Sequence, residues 1–203
     1  MPTPNPNYIA LVAAFITGVI GPVVVRLILR WLEKTTDPLK EAITLAEKVS
    51  DKLEELKEDY DADRIYILQF HNGGHYYPTG KSIQKFSMLY EVVSDSKFSG
   101  QQTFQNIPVN LFSRSLKHLT NEDVICIPDY EDPLALTYGL KFLAQENGSK
   151  SSYLFSIRNI DGRFIGVLGV EYSTKCALSD HQLSDLQVAA SAIGGELSKY
   201  LRK

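Results

Sequence analysis

The sequence predicts an α+β fold: an antiparallel sheet flanked by helices, preceded by one transmembrane helix and one heptad-patterned helix. Three observations predict it. Between Tyr8 and Val25 there is no charged side chain. Over Leu39–Tyr60 apolar residues recur in alternating steps of three and four. Beyond Tyr60, short β-branched and aromatic runs alternate with turn residues and helical patterns.

The first segment, Tyr8–Leu32, reads YIALVAAFITGVIGPVVVRLILRWL. About 20 apolar residues, rising 1.5 Å each, cross the roughly 30 Å of hydrocarbon in a bilayer. Arg26 and Arg30 can snorkel, and Trp31 suits the headgroup level. A signal peptide would carry its basic residues before the run, whereas Met1–Asn7 has no Lys or Arg. Arg26, Arg30, Lys34 and Lys40 follow the run, so the positive-inside rule places the N-terminus outside and the C-terminal domain in the cytoplasm. The expected location is the cell (inner) membrane, single-pass, with the lipid bilayer as one partner. Gly21-Pro22 predicts a kink, because proline removes a backbone donor and crowds the preceding turn. Ala14 and Gly18 have the small-xxx-small spacing that lets two spans approach closely.

Asp37-Pro38 restarts the chain as an N-cap and first helical residue. Leu39, Ala42, Ala46, Val49, Leu53, Leu56 and Tyr60 then form a heptad seam with Glu, Lys and Asp between them. A helix lying on its own domain and a parallel dimeric coiled coil both fit this seam, and the dimer is the sharper expectation. The organisation is thus a tail at 1–7, a span at 8–32, a linker and coiled-coil-like helix at 33–61, and a domain at 62–203. That last part has room for one ordinary core.

Within it, Arg64–His71 predicts a strand ended by Asn72-Gly73-Gly74. Tyr76–Lys85 predicts a loop, Phe86–Val93 a second strand and Ser94–Asn106 a loop or irregular edge. Val109–Leu119 predicts a helix after Pro108, Asp123–Ile127 a short buried strand, and Leu134–Glu146 a helix stopped by Asn147-Gly148. Ser152–Arg158 and Arg163–Tyr172 predict a hairpin around Asn159-Ile160-Asp161-Gly162. Ser179 with Gln182 makes a capping box for the last helix, where Gly194-Gly195 suggests close packing.

From these residues the stretch Leu39–Leu201 resembles a GAF domain. Gly166-Val167-Leu168-Gly169-Val170 resembles the second strand of the GAF hairpin, and Leu178-Ser179-Asp180-His181-Gln182 the start of its last helix. The segment FHNGGHYYPTG is also similar to small membrane-anchored GAF-like proteins of phage and bacterial genomes. The resemblance implies a regulatory small-molecule pocket between the sheet and its covering loops and helices, and a homodimer held by the first and last helices.

Composition and motifs narrow the chemistry. A net charge of −3 argues against a nucleic-acid partner. Gly80-Lys81-Ser82 lacks the P-loop's first glycine, since position 75 is His75. His71 and His75 lie four apart, but glycines separate them and no third metal ligand is evident. His71, Asn72, His75 and Tyr76 are instead candidates for ligand-binding residues at a strand end, with Tyr90 and Asp129. Cys126 is followed by Ile and Cys176 by Ala, whereas the resemblance to bilin-binding GAF domains would require a Cys, usually followed by His. The cyclic-nucleotide signature, the clustered cysteines of the family's sulfoxide reductases and a Ser/His/Asp triad are likewise not found. No catalytic residue and no cofactor is assigned. The expected role is a non-enzymatic sensory or regulatory module that binds a small molecule or partner and signals through a dimeric helix. The alternative is a membrane-acting or scaffold protein, holin-like or lysis-regulating, whose pocket would be filled by its own side chains.

Overall fold

The structure is a computed structural model that describes residues 7, 10, 14–33, 37–76, 78–94 and 99–201. It divides into two compact units, Met1–Ile43 and Thr44–Lys203.

In the first unit the expected span does not form one regular helix. Ile16–Ile20 is a π-helical turn closed by Gly21 N–H to the Ile16 carbonyl, and α1 occupies Gly21–Glu33. The widened turn sits just before Pro22, where a regular turn would clash with the ring and miss its donor. Among the described residues, no helix is long and apolar enough to cross a membrane. Tyr8, Ile9, Leu11, Val12 and Ala13 of the expected span lie outside the described residues, as do Met1–Pro6 of the tail and Lys34–Thr36 of the linker. The side chains from Phe15 to Leu29 are nonetheless exposed along the apolar stretch, including Phe15, Val19, Val23, Leu27 and Ile28.

Helix α2, Pro38–Asp59, starts as the sequence predicts, with Leu39 N–H donating to Asp37 Oδ1 at 3.0 Å. Its seam follows the first of the two readings, a helix lying on its own domain. Leu45, Val49, Leu53 and Leu56 are buried in the core of their own domain, and Leu53 is 0% exposed. Leu39 and Ile43 remain exposed. A stripe consumed by an intramolecular sheet is not available to a partner helix, because each apolar face is buried once.

The sheet has six strands in the order β3-β2-β1-β6-β5-β4. These are β1 Arg64–His75, β2 Ser82–Val93, β3 Ile107–Pro108, β4 Val124–Ile127, β5 Ser151–Arg158 and β6 Phe164–Tyr172. Each strand runs antiparallel to its neighbours. β1 runs past Asn72-Gly73-Gly74 rather than stopping there, because β2 is long enough to pair His75 with Ser82. Helix α3, Ser113–Glu122, follows a 3-10 turn at Val109–Phe112. Helix α4 is only Lys141–Glu146, shorter than the expected Leu134–Glu146, since Asp132 Oδ1 accepts from Leu134 N–H and holds a turn there. Helix α5, Asp180–Leu201, has the predicted capping box: Ser179 N–H donates to Gln182 Oε1 at 3.0 Å and Gln182 N–H to Ser179 Oγ at 3.4 Å.

Strand alternation gives two cores. Ile65, Ile67, Phe155, Leu168 and Val170 face α2 and α5. Tyr66, Met88, Leu154 and Val167 face the other side with Leu119 of α3 and Ala144 of α4. Side chains on a strand alternate with a period of two, so one register error would exchange these faces. In β2 the parity is kept by a register shift: Ile67 pairs Tyr90 while Leu68 pairs Met88, leaving Leu89 as the extra residue.

Candidate functional site

The second face of the sheet does not close completely under α3, α4 and the loops. A cavity with about 70 Å³ of room for the centre of a water-sized sphere lies there. About 10–15 Å³ on that measure holds one water, so this space suits a small molecule. Its wall is divided. Phe86, Met88, Phe104, Phe112, Leu116 and Leu140 contribute the apolar part. Arg64, Tyr66, Tyr130, Ser152 and Glu171 gather at the polar part.

Strand register brings the polar groups together. Arg64 of β1 and Ser152 of β5 both pair with Glu171 of β6, so the three stand in one row across neighbouring strands. Arg64 Nη1 donates to Glu171 Oε2 at 3.2 Å, and Arg64 Nε lies 3.1 Å from Glu91 Oε1. Both Glu side chains and the guanidinium are largely buried. Ser149 Oγ donates to Glu171 Oε2 at 2.7 Å and Tyr66 O–H to Glu171 Oε1 at 3.3 Å. Glu91 also accepts from Gly100 N–H at 3.0 Å and Gln101 N–H at 3.1 Å. Buried charges persist when paired and hydrogen-bonded in this way, and removing one partner costs about 3–5 kcal/mol.

Burial raises the Tyr66 phenol well above its ordinary value, with the Glu171 carboxylate adding to the rise. Burial likewise pushes Tyr130 up to about 12, against a smaller lowering by the Ser152 hydroxyl. Both phenols therefore stay protonated near neutrality and act as donors. Ser152 is 2% exposed. Its hydroxyl lies beside the Tyr130 phenol and lowers it by hydrogen bonding, although the pair falls short of good hydrogen-bond geometry. Gly169 leaves room for this cluster: a Cβ there would stand 2.2 Å from the Tyr66 ring.

None of the six sequence candidates lines this cavity. His71 Nε2 lies 2.9 Å from Ser87 Oγ, and Asn72 Oδ1 accepts from Gln84 Nε2 at 2.8 Å. His75 ends β1 and is exposed, and Tyr76 N–H closes a turn to the Lys81 carbonyl at 2.8 Å. Tyr90 packs on the opposite face of the sheet with the α2 and α5 core. Asp129 pairs with Lys175 Nζ at 2.6 Å. The first four occupy one end of the β1–β2 hairpin, while Tyr90 stands farther along β2 and Asp129 in the loop after β4. The residues missed, Arg64 and Glu171, carried a legible signal: Glu171 is a lone charge in an otherwise apolar strand, and Arg64 stands directly before the apolar run Ile65–Leu68. Their mutual pairing was not legible, since sequence alone does not set which strands are neighbours. Neither Cys126 nor Cys176 lines the cavity, and among the described residues no group of three His, Cys, Asp or Glu could hold a metal ion.

The architecture has well-matched relatives among solved structures. A far-red cyanobacteriochrome photoreceptor matches with a TM-score of 0.60 at 16% identity, over 90% of this chain and 98% of that one. The phycocyanobilin-bound GAF domain of a cyanobacterial phytochrome matches with a TM-score of 0.60 at 16% identity, over 88% and 94%. The GAF domain of PixJ from Thermosynechococcus elongatus, in its blue-light absorbing form, gives 0.61 at 12% identity, over 79% and 89%. The chain thus has a GAF-like fold, as its hairpin and capped last helix had suggested. No family model matches the sequence, and no curated protein does.

Proposed function

We propose that this chain is a non-catalytic regulatory module that binds a small molecule in the sheet-face cavity. The observation that carries this reading is the divided wall: an apolar enclosure with a few convergent buried polar groups is the usual form of a small-molecule site. One structural neighbour is a phycocyanobilin-bound GAF domain, which supports the reading of a ligand site in a fold of this kind. A covalently attached bilin is not part of the proposal, because both cysteines lie away from the cavity. The competing scaffold reading expects a pocket filled by the protein's own side chains, and the open volume favours the ligand.

Membrane anchoring through Tyr8–Leu32 belongs to the same proposal. It is supported by the uncharged run and by the exposed apolar side chains from Phe15 to Leu29, which need a cover. A dimer, if formed along α2, would use its N-terminal turns at Leu39 and Ile43, since the later stripe is buried. The test is native mass spectrometry of the full chain extracted in mild detergent. A bound small molecule lost on unfolding supports the reading, and the same spectrum gives the subunit number. A cavity that carries no molecule and accepts none from a metabolite library would overturn it.

A further inference from the structure

We propose that the cavity's ligand is a small cationic amphiphile, an ammonium group on a short apolar body, docked against Glu171 and Ser152. The inference rests on the small-molecule reading above and names the chemical class. Arg64 and Glu171 are the charged residues among those lining the cavity. Arg64 already meets two carboxylates, Glu171 and Glu91, so among the described residues the cluster sets two acidic side chains against one basic one. An anionic ligand would have to displace one carboxylate from the guanidinium while facing the other. A cation meets the opposite field.

The acceptors are placed for an ammonium. Glu171 Oε2 is occupied by Arg64 and by the short bond from Ser149, whereas Oε1 receives only the long Tyr66 bond among the contacts described. A carboxylate oxygen accepts more than one donor. Ser152 pairs with Glu171 across β5 and β6, and cross-strand partners stand about 4.5–5.5 Å apart at Cβ, a gap one ammonium bridges. Ser152 Oγ, buried, lining the cavity and with no well-formed hydrogen bond beyond its loose contact with Tyr130, is then satisfied by the ligand. The Tyr66 and Tyr130 rings add aromatic faces that attract cations, and Phe104, Phe112 and Leu116 receive the apolar body.

The test compares three isosteric probes on the full chain by calorimetry and thermal shift at neutral pH: n-butylamine, n-butanol and butyrate. Butylamine should bind about tenfold tighter than butanol, the difference between a charge-assisted and a neutral hydrogen bond, and butyrate should bind worst. Glu171→Gln should erase the preference for the amine. Should that variant fail to fold, Ser152→Ala, which removes no well-formed protein hydrogen bond, should weaken butylamine several-fold and leave the unliganded melting temperature within a few degrees. Butanol or butyrate binding as well as butylamine overturns the cationic assignment while leaving a small-molecule site standing. No binding by any of the three, at millimolar concentration, overturns the cationic assignment, while the small-molecule reading falls only if the native spectrum and the metabolite library also show no bound molecule.

Discussion

At the scale of single residues, small residues leave the room that the cavity's larger side chains need. Gly169 is the clearest, because a methyl group there would collide with the Tyr66 ring. Gly169→Ala should cost about 1–3 kcal/mol, the usual overpacking penalty, and a denaturant titration checks it. Asp123 shows a different logic. It takes a left-handed backbone conformation, φ +62°, and its carboxylate accepts from Ser156 Oγ and Arg158 Nε. The Ser156 bond, with Arg158, holds its carboxyl below the ordinary range. A carboxyl whose value is lowered by folding adds stability above its unfolded pKa, about 3.9, and that stability is lost as pH falls through the folded value. Asp123→Asn tolerates the same backbone and removes the charge. Its melting temperature should lie below wild type at pH 6, with the gap narrowing toward pH 2. A constant gap would show that the carboxylate does not titrate in this role.

Elements were read with uneven success, and the reasons are physical. The hairpin and the capped last helix were legible because their signals are local: Asn159 Oδ1 accepts from Asp161 and Arg163 N–H, and Ser179 and Gln182 cap each other. The role of α2 was not legible, since the same spacing of Val49, Leu53 and Leu56 serves a partner helix or a sheet equally well. The structure separates these. Leu53→Ala should cost about 2–5 kcal/mol as a core cavity, while Leu39→Ala should change stability by less than about 0.5 kcal/mol, both measured by chemical denaturation. In α5 two adjacent glycines should respond in opposite directions. A Cβ on Gly194 would stand 2.1 Å from the Arg158 carbonyl oxygen, a backbone atom that cannot swing away, whereas Gly195 has open space. Gly194→Ala should therefore destabilise, and Gly195→Ala should stabilise by up to about 1 kcal/mol through helix propensity, read as opposite shifts in melting temperature.

At the scale of the whole molecule, the membrane proposal is tested by fractionating cells that express the full chain. The protein should sediment with membranes and be released by detergent but not by high salt; release by salt would mean surface adsorption instead. The site itself was half legible. That a GAF-like sheet would offer a pocket followed from the resemblance, but its position followed from register, and the hairpin residues chosen from their polarity lie away from it. One arrangement has a mechanical corollary. On β1, Arg64 and Tyr66 look into the cavity while Ile65 and Ile67, their immediate neighbours, press on the core shared with Leu45, Val49 and Leu53. The β1 ribbon is therefore a diaphragm one peptide thick, so a molecule bound as proposed would be separated from the core of the entry helix by a single strand, with no relay through the domain's rim to cross.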